Sequence, residues 1–100
     1  MKRKQMPQAI KRLEKLRVLI DKIDSQIVKL LNKRVRTAQK VGRLKKQLGY
    51  LIRAKQREKE VIARVLKHNR GTFNDRRLLS IYRIIIAECR DVQKKEVSGK

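Results

Sequence analysis

The chain has 100 residues, with 30 Lys and Arg against 9 Asp and Glu, for a net charge of +21. A domain of this length buries roughly 60–70% of its unfolded surface, and 40% apolar residues supply a core despite the charge. One Pro, four Gly, one Cys (Cys89) and one His (His68) exclude a collagen-like or turn-dense all-β chain, an internal disulfide and a cysteine-based structural zinc site. No segment near the start has the apolar core of a secretory signal, and no run approaches the ~18 apolar residues of a membrane span. A soluble cytoplasmic protein is expected, with anionic partners: nucleic acid, an anionic membrane surface or a small polyanion.

Residues 1–6 read as a basic tail, and Pro7 suits the first turn of a helix. From Leu13 the apolar positions run Leu13, Leu16, Ile20, Ile23, Ile27 and Leu30, a heptad seam. The seam resumes at Val41, Leu44 and Leu48, so the spacing predicts one helix over about 7–48, ~60 Å long. Such a helix cannot cover its own apolar stripe in so short a chain. It needs a partner chain or a long antiparallel return. Gly49-Tyr50-Leu51-Ile52 breaks the pattern and reads as a loop. A second helix is expected from about Arg53 to Asn69, with Val61, Ile62, Val65 and Leu66 as its stripe and Gly71 as its left-handed terminator. Asn74 suits the cap of a third helix, stapled by Phe73 and Leu78. That helix should run to about Lys94 and bury Leu78, Tyr82, Ile85, Cys89 and Val92; 95–100 read as a second basic tail. The expected class is all-α, a three-helix chain with one very long N-terminal helix and a single helical domain over 1–100.

Several polar residues fall inside these stripes. A charge there is costly unless it is paired, so it needs a reason. The first seam, continued past Leu30, reaches Arg34; Lys45 lies eleven residues on, close to three turns, and shares that face. The second stripe, stepped back from Val61 and Ile62, reaches Arg57 and Glu58, and Gln93 follows Cys89 by four residues. Each has an ordinary reading alone. Arg34 suits a register-setting position in a coiled coil, and Lys45, Arg57, Glu58 and Gln93 suit solvated positions. Cys89 suits a small core site and His68 the surface near a helix end. Together they put cations, one carboxylate and one amide on the inward faces of three helices. That describes a polar pocket in a helical bundle, suited to a small anion bearing a hydroxyl. Between Ser25 and Gln56 there are ten bases and no acid, so the positive field is strongest along the half of the first helix with Arg34 and Lys45.

These residues carry a resemblance to the all-helical class of chorismate mutase over roughly residues 13–93. LRVLIDKIDSQIVKLLNKR resembles the family's first-helix signature, and Gly42-Arg43-Leu44-Lys45 its Gly-x-x-Lys. Arg57-Glu58 resembles its Arg-Glu pair, and IIIAECRDVQ (84–93) the third-helix segment that ends in the catalytic Gln. The resemblance implies an intertwined helical-bundle homodimer. It also implies rearrangement of chorismate to prephenate, toward phenylalanine and tyrosine, with no covalent intermediate, metal or cofactor. In that reading Arg34, with Arg17 of the partner subunit, binds the substrate carboxylates. Lys45 contacts a carboxylate and the ether oxygen, Gln93 donates to the same oxygen, Glu58 accepts from the ring hydroxyl, and Arg57 helps orient the acidic groups.

The sequence supports a partner independently. Arg17 and Arg34 are 17 residues apart, ~25 Å along one helix and ~100° around it, so one chain cannot bring both to one small ligand. Two positions depart from the family pattern: Ala54 stands where an Asp often precedes the Arg-Glu pair, and Cys89 where a Ser can assist a carboxylate. A backbone amide near Ala54 can still hold the hydroxyl, and a thiol is a weaker donor, so reduced affinity is expected rather than lost activity. Three rivals stand beside this reading. One is an isochorismate pyruvate lyase of the same fold, which uses a similar pocket. Another is a basic nucleic-acid-binding helical dimer, for which Tyr50, Phe73 and Tyr82 supply little base stacking. The third is a non-catalytic dimerisation module. Incidental nucleic-acid binding is expected from the charge alone.

Overall fold

A computed structural model describes residues 2–98, with side chains described from Met6 onward. The helices are α1 (Lys2–Leu48), α2 (Lys55–His68) and α3 (Asp75–Val97), with no strand among the described residues. None of these helices is long and apolar enough to cross a membrane. The expected basic tails are shorter than the spacing suggested. Helix α1 starts at Lys2 and runs through Pro7, and α3 continues to Val97. Pro7 stands in the second turn, where its missing N–H leaves the carbonyl of residue 3 without its helical bond. Met1, Gly99 and Lys100 lie outside the described residues.

The chain divides into two compact units, Met1–Asn32 and Lys33–Lys100. The first is a stretch of α1 alone. Its seam residues Leu13, Leu16, Ile20, Ile23, Ile27 and Leu30 are between 44% and 64% exposed. Nothing within this unit covers that seam.

The second unit holds the rest of α1 with α2 and α3. Ala38, Ile86 and Cys89 are its buried apolar side chains among the described residues. Val61, Ile62, Val65 and Leu66 of α2 and Leu78, Tyr82, Ile85 and Val92 of α3 are half-buried around them. The inward stripe of α3 therefore runs through Ile86, where the spacing suggested Ile85. A period of 3.6 carries Tyr82 to Ile86 and then to Cys89 and Gln93, and leaves Ile85 on the flank.

The left-handed glycine is Gly49, with φ +69°, and not Gly71. It ends α1 in a Schellman turn: Tyr50 N–H donates to the Lys45 carbonyl (2.9 Å) and Gly49 N–H to that of Lys46 (3.3 Å). Helix α2 needs no such residue, because the residue that follows and caps it, Asn69, is extended (φ −79°, ψ 90°). The Asn69 side-chain amide pins the following loop, donating to the Phe73 carbonyl (2.8 Å) and to Asp75 Oδ1 (2.6 Å). Asn74 caps α3 as expected, its side chain accepting from Arg77 N–H at 3.0 Å.

Candidate functional site

A cavity of about 360 Å³ opens in the second unit between the end of α1, the start of α2 and the middle of α3. That volume lies in the range of small-molecule sites. Arg34, Lys45, Ala54, Arg57, Glu58, Cys89 and Gln93, all singled out from the sequence, line it together with Arg90 and apolar Val41, Val61 and Ile86. Four cations and one carboxylate therefore face a single space. Arg17 belongs to the first unit and is not part of this lining. His68 is exposed and lies outside it.

Lys45 is held by the turn it precedes. The reversal at Gly49 carries the chain back, and the Ile52 carbonyl accepts from Lys45 Nζ at 2.7 Å. The same Nζ donates to Gln93 Oε1 at 2.9 Å. With its oxygen turned to Lys45, the Gln93 amide has its Nε2 hydrogens to offer a ligand. Burial pulls the Lys45 pKa below the ordinary lysine value, and the Glu58 carboxylate opposes this by raising it.

Gly42 explains how α1 and α3 come close enough for that bond. A Cβ built on Gly42 would meet Gln93 Cα at 3.0 Å and its Cβ and Cγ at 3.2 Å. A side chain there would push α3 back by a few tenths of an ångström, so the Gly-x-x-Lys spacing joins a close helix contact to the lysine one turn later. Arg43, between them, points outward and pairs with Glu96 at 3.2 and 3.4 Å.

Arg34 occupies the seam position where an apolar residue belongs. Its Nη1 donates to the sulfur of buried Cys89 at 2.9 Å. Arg57 sits at the cavity mouth, with its side chain 58% exposed and an ion pair to Glu60 at 3.7 Å. Glu58, in the first turn of α2, is more enclosed. Its backbone N–H donates to the Ala54 carbonyl at 3.0 Å, and Ala54 offers no side-chain cap to α2.

Arg90 has no place among the residues singled out from the sequence. Its Nε and Nη2 donate to Glu58 Oε2 and Oε1 at 3.3 and 3.1 Å, across α2 and α3. Arg53 approaches the same carboxylate at 3.7 Å from a side chain that is 55% exposed. A signal for Arg90 existed: it is four residues after Ile86 and three before Gln93, on the α3 face that turns inward. The expected stripe through Ile85 hid it.

A family model described as chorismate mutase type II matches residues 16–94. The chain is 37% identical over 87 residues to the bifunctional chorismate mutase/prephenate dehydratase of Aquifex aeolicus, covering 83% of this chain and 24% of that protein. It is 35% identical over 75 residues to the protein of the same description from Neisseria gonorrhoeae, covering 75% and 20%. It is 33% identical over 87 residues to the chorismate mutase of Methanocaldococcus jannaschii, covering 86% and 88%. The chain thus spans about a quarter of the bifunctional relatives and most of the archaeal one.

Proposed function

The chain belongs to the chorismate mutase type II family, and on that premise we propose that its cavity rearranges chorismate to prephenate, a step toward phenylalanine and tyrosine. One C–O ether bond breaks as one C–C bond forms, and no proton or covalent enzyme intermediate enters the balance. The residues have two tasks: to hold a flexible dianion in its chair-like reactive conformer, and to stabilise the charge that grows on the ether oxygen.

The Lys45–Gln93 contact of 2.9 Å carries this reading. It puts an ammonium and an amide side by side, two donors for one oxygen that gains charge as the bond breaks. Arg34 binds a substrate carboxylate, and Lys45 shares its charge between that group and the ether oxygen. Glu58 accepts from the ring hydroxyl. Arg57, at the mouth, orients the acidic groups on entry. Ala54 contributes backbone, and Cys89 replaces a hydroxyl with a weaker donor.

The exposed seam of the first unit, 44–64% open from Leu13 to Leu30, supports a homodimer in which that helix packs against a second copy. Arg17 of the partner subunit then completes the site with a second carboxylate contact. Mixing Arg17→Ala with Arg34→Ala chains and refolding them together should restore activity that neither has alone. The hybrid holds one site with both arginines. No restoration would remove Arg17 from the partner's site. The reading extends to the cytoplasm, which the free thiol of Cys89 suits. Nucleic-acid binding, if present, is incidental and should vanish steeply with salt.

The test follows chorismate loss by its ultraviolet absorbance and identifies prephenate, beside Gln93→Ala. Prephenate is expected, with Gln93→Ala slower by about 10²–10³-fold. A folded protein that forms none would overturn the reading, and release of pyruvate from isochorismate would put the lyase in its place.

A further inference from the structure

We propose that Arg90 is a positioning residue of this site: it holds the Glu58 carboxylate in the orientation that receives the substrate hydroxyl. The role rests on the reaction proposed above and on Glu58 as the hydroxyl acceptor.

The geometry singles Arg90 out from the many bases of a chain with 30 of them. Arginines on this surface are mostly solvated, but the Arg90 side chain is only 21% exposed and that of Glu58 only 23%. Two parallel bonds, 3.3 and 3.1 Å, join the guanidinium edge to both carboxylate oxygens. A single point charge leaves a carboxylate free to rotate about its last torsion. A fork on two oxygens does not. Arg53, at 3.7 Å and 55% exposed, adds only a screened contact to one of those oxygens.

Glu58 needs such a hold for two reasons. It stands at the first turn of α2, where Ala54 gives no side-chain cap, so its own helix start restrains it weakly. It is also the lone carboxylate in a cavity that must admit a dianion. The Arg90 fork offsets its repulsion of the substrate and occupies two of the roughly four acceptor positions of the carboxylate, leaving the others to the hydroxyl. Ala54 sharpens the requirement: with no second carboxylate at the start of α2, hydroxyl recognition falls on Glu58 and the residue that aims it. Arg90 spans from α3 to α2, so it also ties the helix that carries Gln93 to the helix that carries Glu58.

The test is a double-mutant cycle on chorismate turnover with Arg90→Gln, Glu58→Gln and the pair, each checked for native helicity. Arg90→Gln should lower kcat/KM by about 10–100-fold, mostly through kcat, as expected for a misaimed group. In the Glu58→Gln background the same change should cost less than about threefold, because Arg90 acts through Glu58. Arg90→Lys should fall between native and Arg90→Gln, because an ammonium keeps the charge but not the fork. Losses that multiply would overturn the proposal, since Arg90 would then act on the substrate itself. Native activity in Arg90→Gln, or full recovery by Lys, would overturn it too. If Arg90→Gln does not fold, Arg90→Lys carries the same cycle. Absence of prephenate from the native folded protein would sink the reaction. Gln93-dependent turnover with a multiplicative cycle would sink only the role of Arg90.

Discussion

Gly42 and Gln93 meet backbone to backbone: a methyl group on Gly42 would stand 3.0 Å from the Gln93 Cα. The atom in its way belongs to the main chain of α3, which cannot swing aside as a side-chain tip can. The approach sets how far Gln93 lies from Lys45, three residues along α1 from the glycine.

Gly42→Ala should therefore act on chemistry as well as packing. Overpacking of this kind costs about 1–3 kcal/mol, and the helix shift should stretch the Lys45–Gln93 bond. The expected result is a kcat lower by about 10-fold or more, with the helices retained. Thermal melting and steady-state kinetics on one preparation would check it. Native kcat with a lowered melting temperature would show that the contact serves packing only.

Ala54→Asp should stabilise. The residue precedes α2 with φ −104° and ψ 86° and makes no side-chain cap bond. A capping carboxylate there should add about 0.5–2 kcal/mol, read as a higher denaturant midpoint at unchanged slope. It should also lower KM by giving the ring hydroxyl a second acceptor. A higher midpoint with an unchanged KM would separate the cap from any role in binding.

Lys45 makes activity and stability diverge at high pH. Its pKa is lowered by burial, so the folded protein releases this proton before the unfolded chain does. Between the lowered value and the ordinary lysine value the unfolded chain holds more protons, and this residue's contribution to stability rises with pH. The proposed reaction uses the charged ammonium, so activity should fall across the same window. Glu58→Gln removes the carboxylate that raises the Lys45 pKa, so its alkaline limb should move to lower pH. A limb that stays put or moves upward would contradict that coupling.

Arg34 and Cys89 make a paired prediction from their 2.9 Å contact. Arg34→Lys should lower turnover by about 10-fold or more, because an ammonium cannot grip a carboxylate bidentately. Cys89→Ser puts a stronger donor and acceptor beside the guanidinium. KM should fall severalfold, and stability by about 1 kcal/mol for the buried hydroxyl. Isothermal titration with a non-reacting dicarboxylate would read the affinity directly. A weaker complex for Cys89→Ser would contradict the donor argument.

The helices, their order and most of the cavity lining were legible in the sequence because each is written in a period. Three-and-four spacing marks the first helix, and a period broken by Arg34, Lys45, Glu58 and Gln93 marks the residues that face the cavity. The expectation of a partner chain rests on spacing as well: the seam from Leu13 to Leu30 lies exposed in the first unit, and 17 residues of helix separate Arg17 from Arg34.

Choices between equivalent residues were left to the tertiary structure. Gly49 and Gly71 both follow helices, but only Gly49 closes a Schellman turn, since Asn69 ends α2 extended. Ile85 and Ile86 are equally apolar, and the packing of α3 turned Ile86 inward. On the face that turns inward with Ile86, Arg90 meets Glu58, a partner 32 residues away. Periodicity reports which face of a helix is apolar, because burial of that face is a property of one segment. Which cation meets which carboxylate depends on the separation of two helices, and that distance exists only once both have packed.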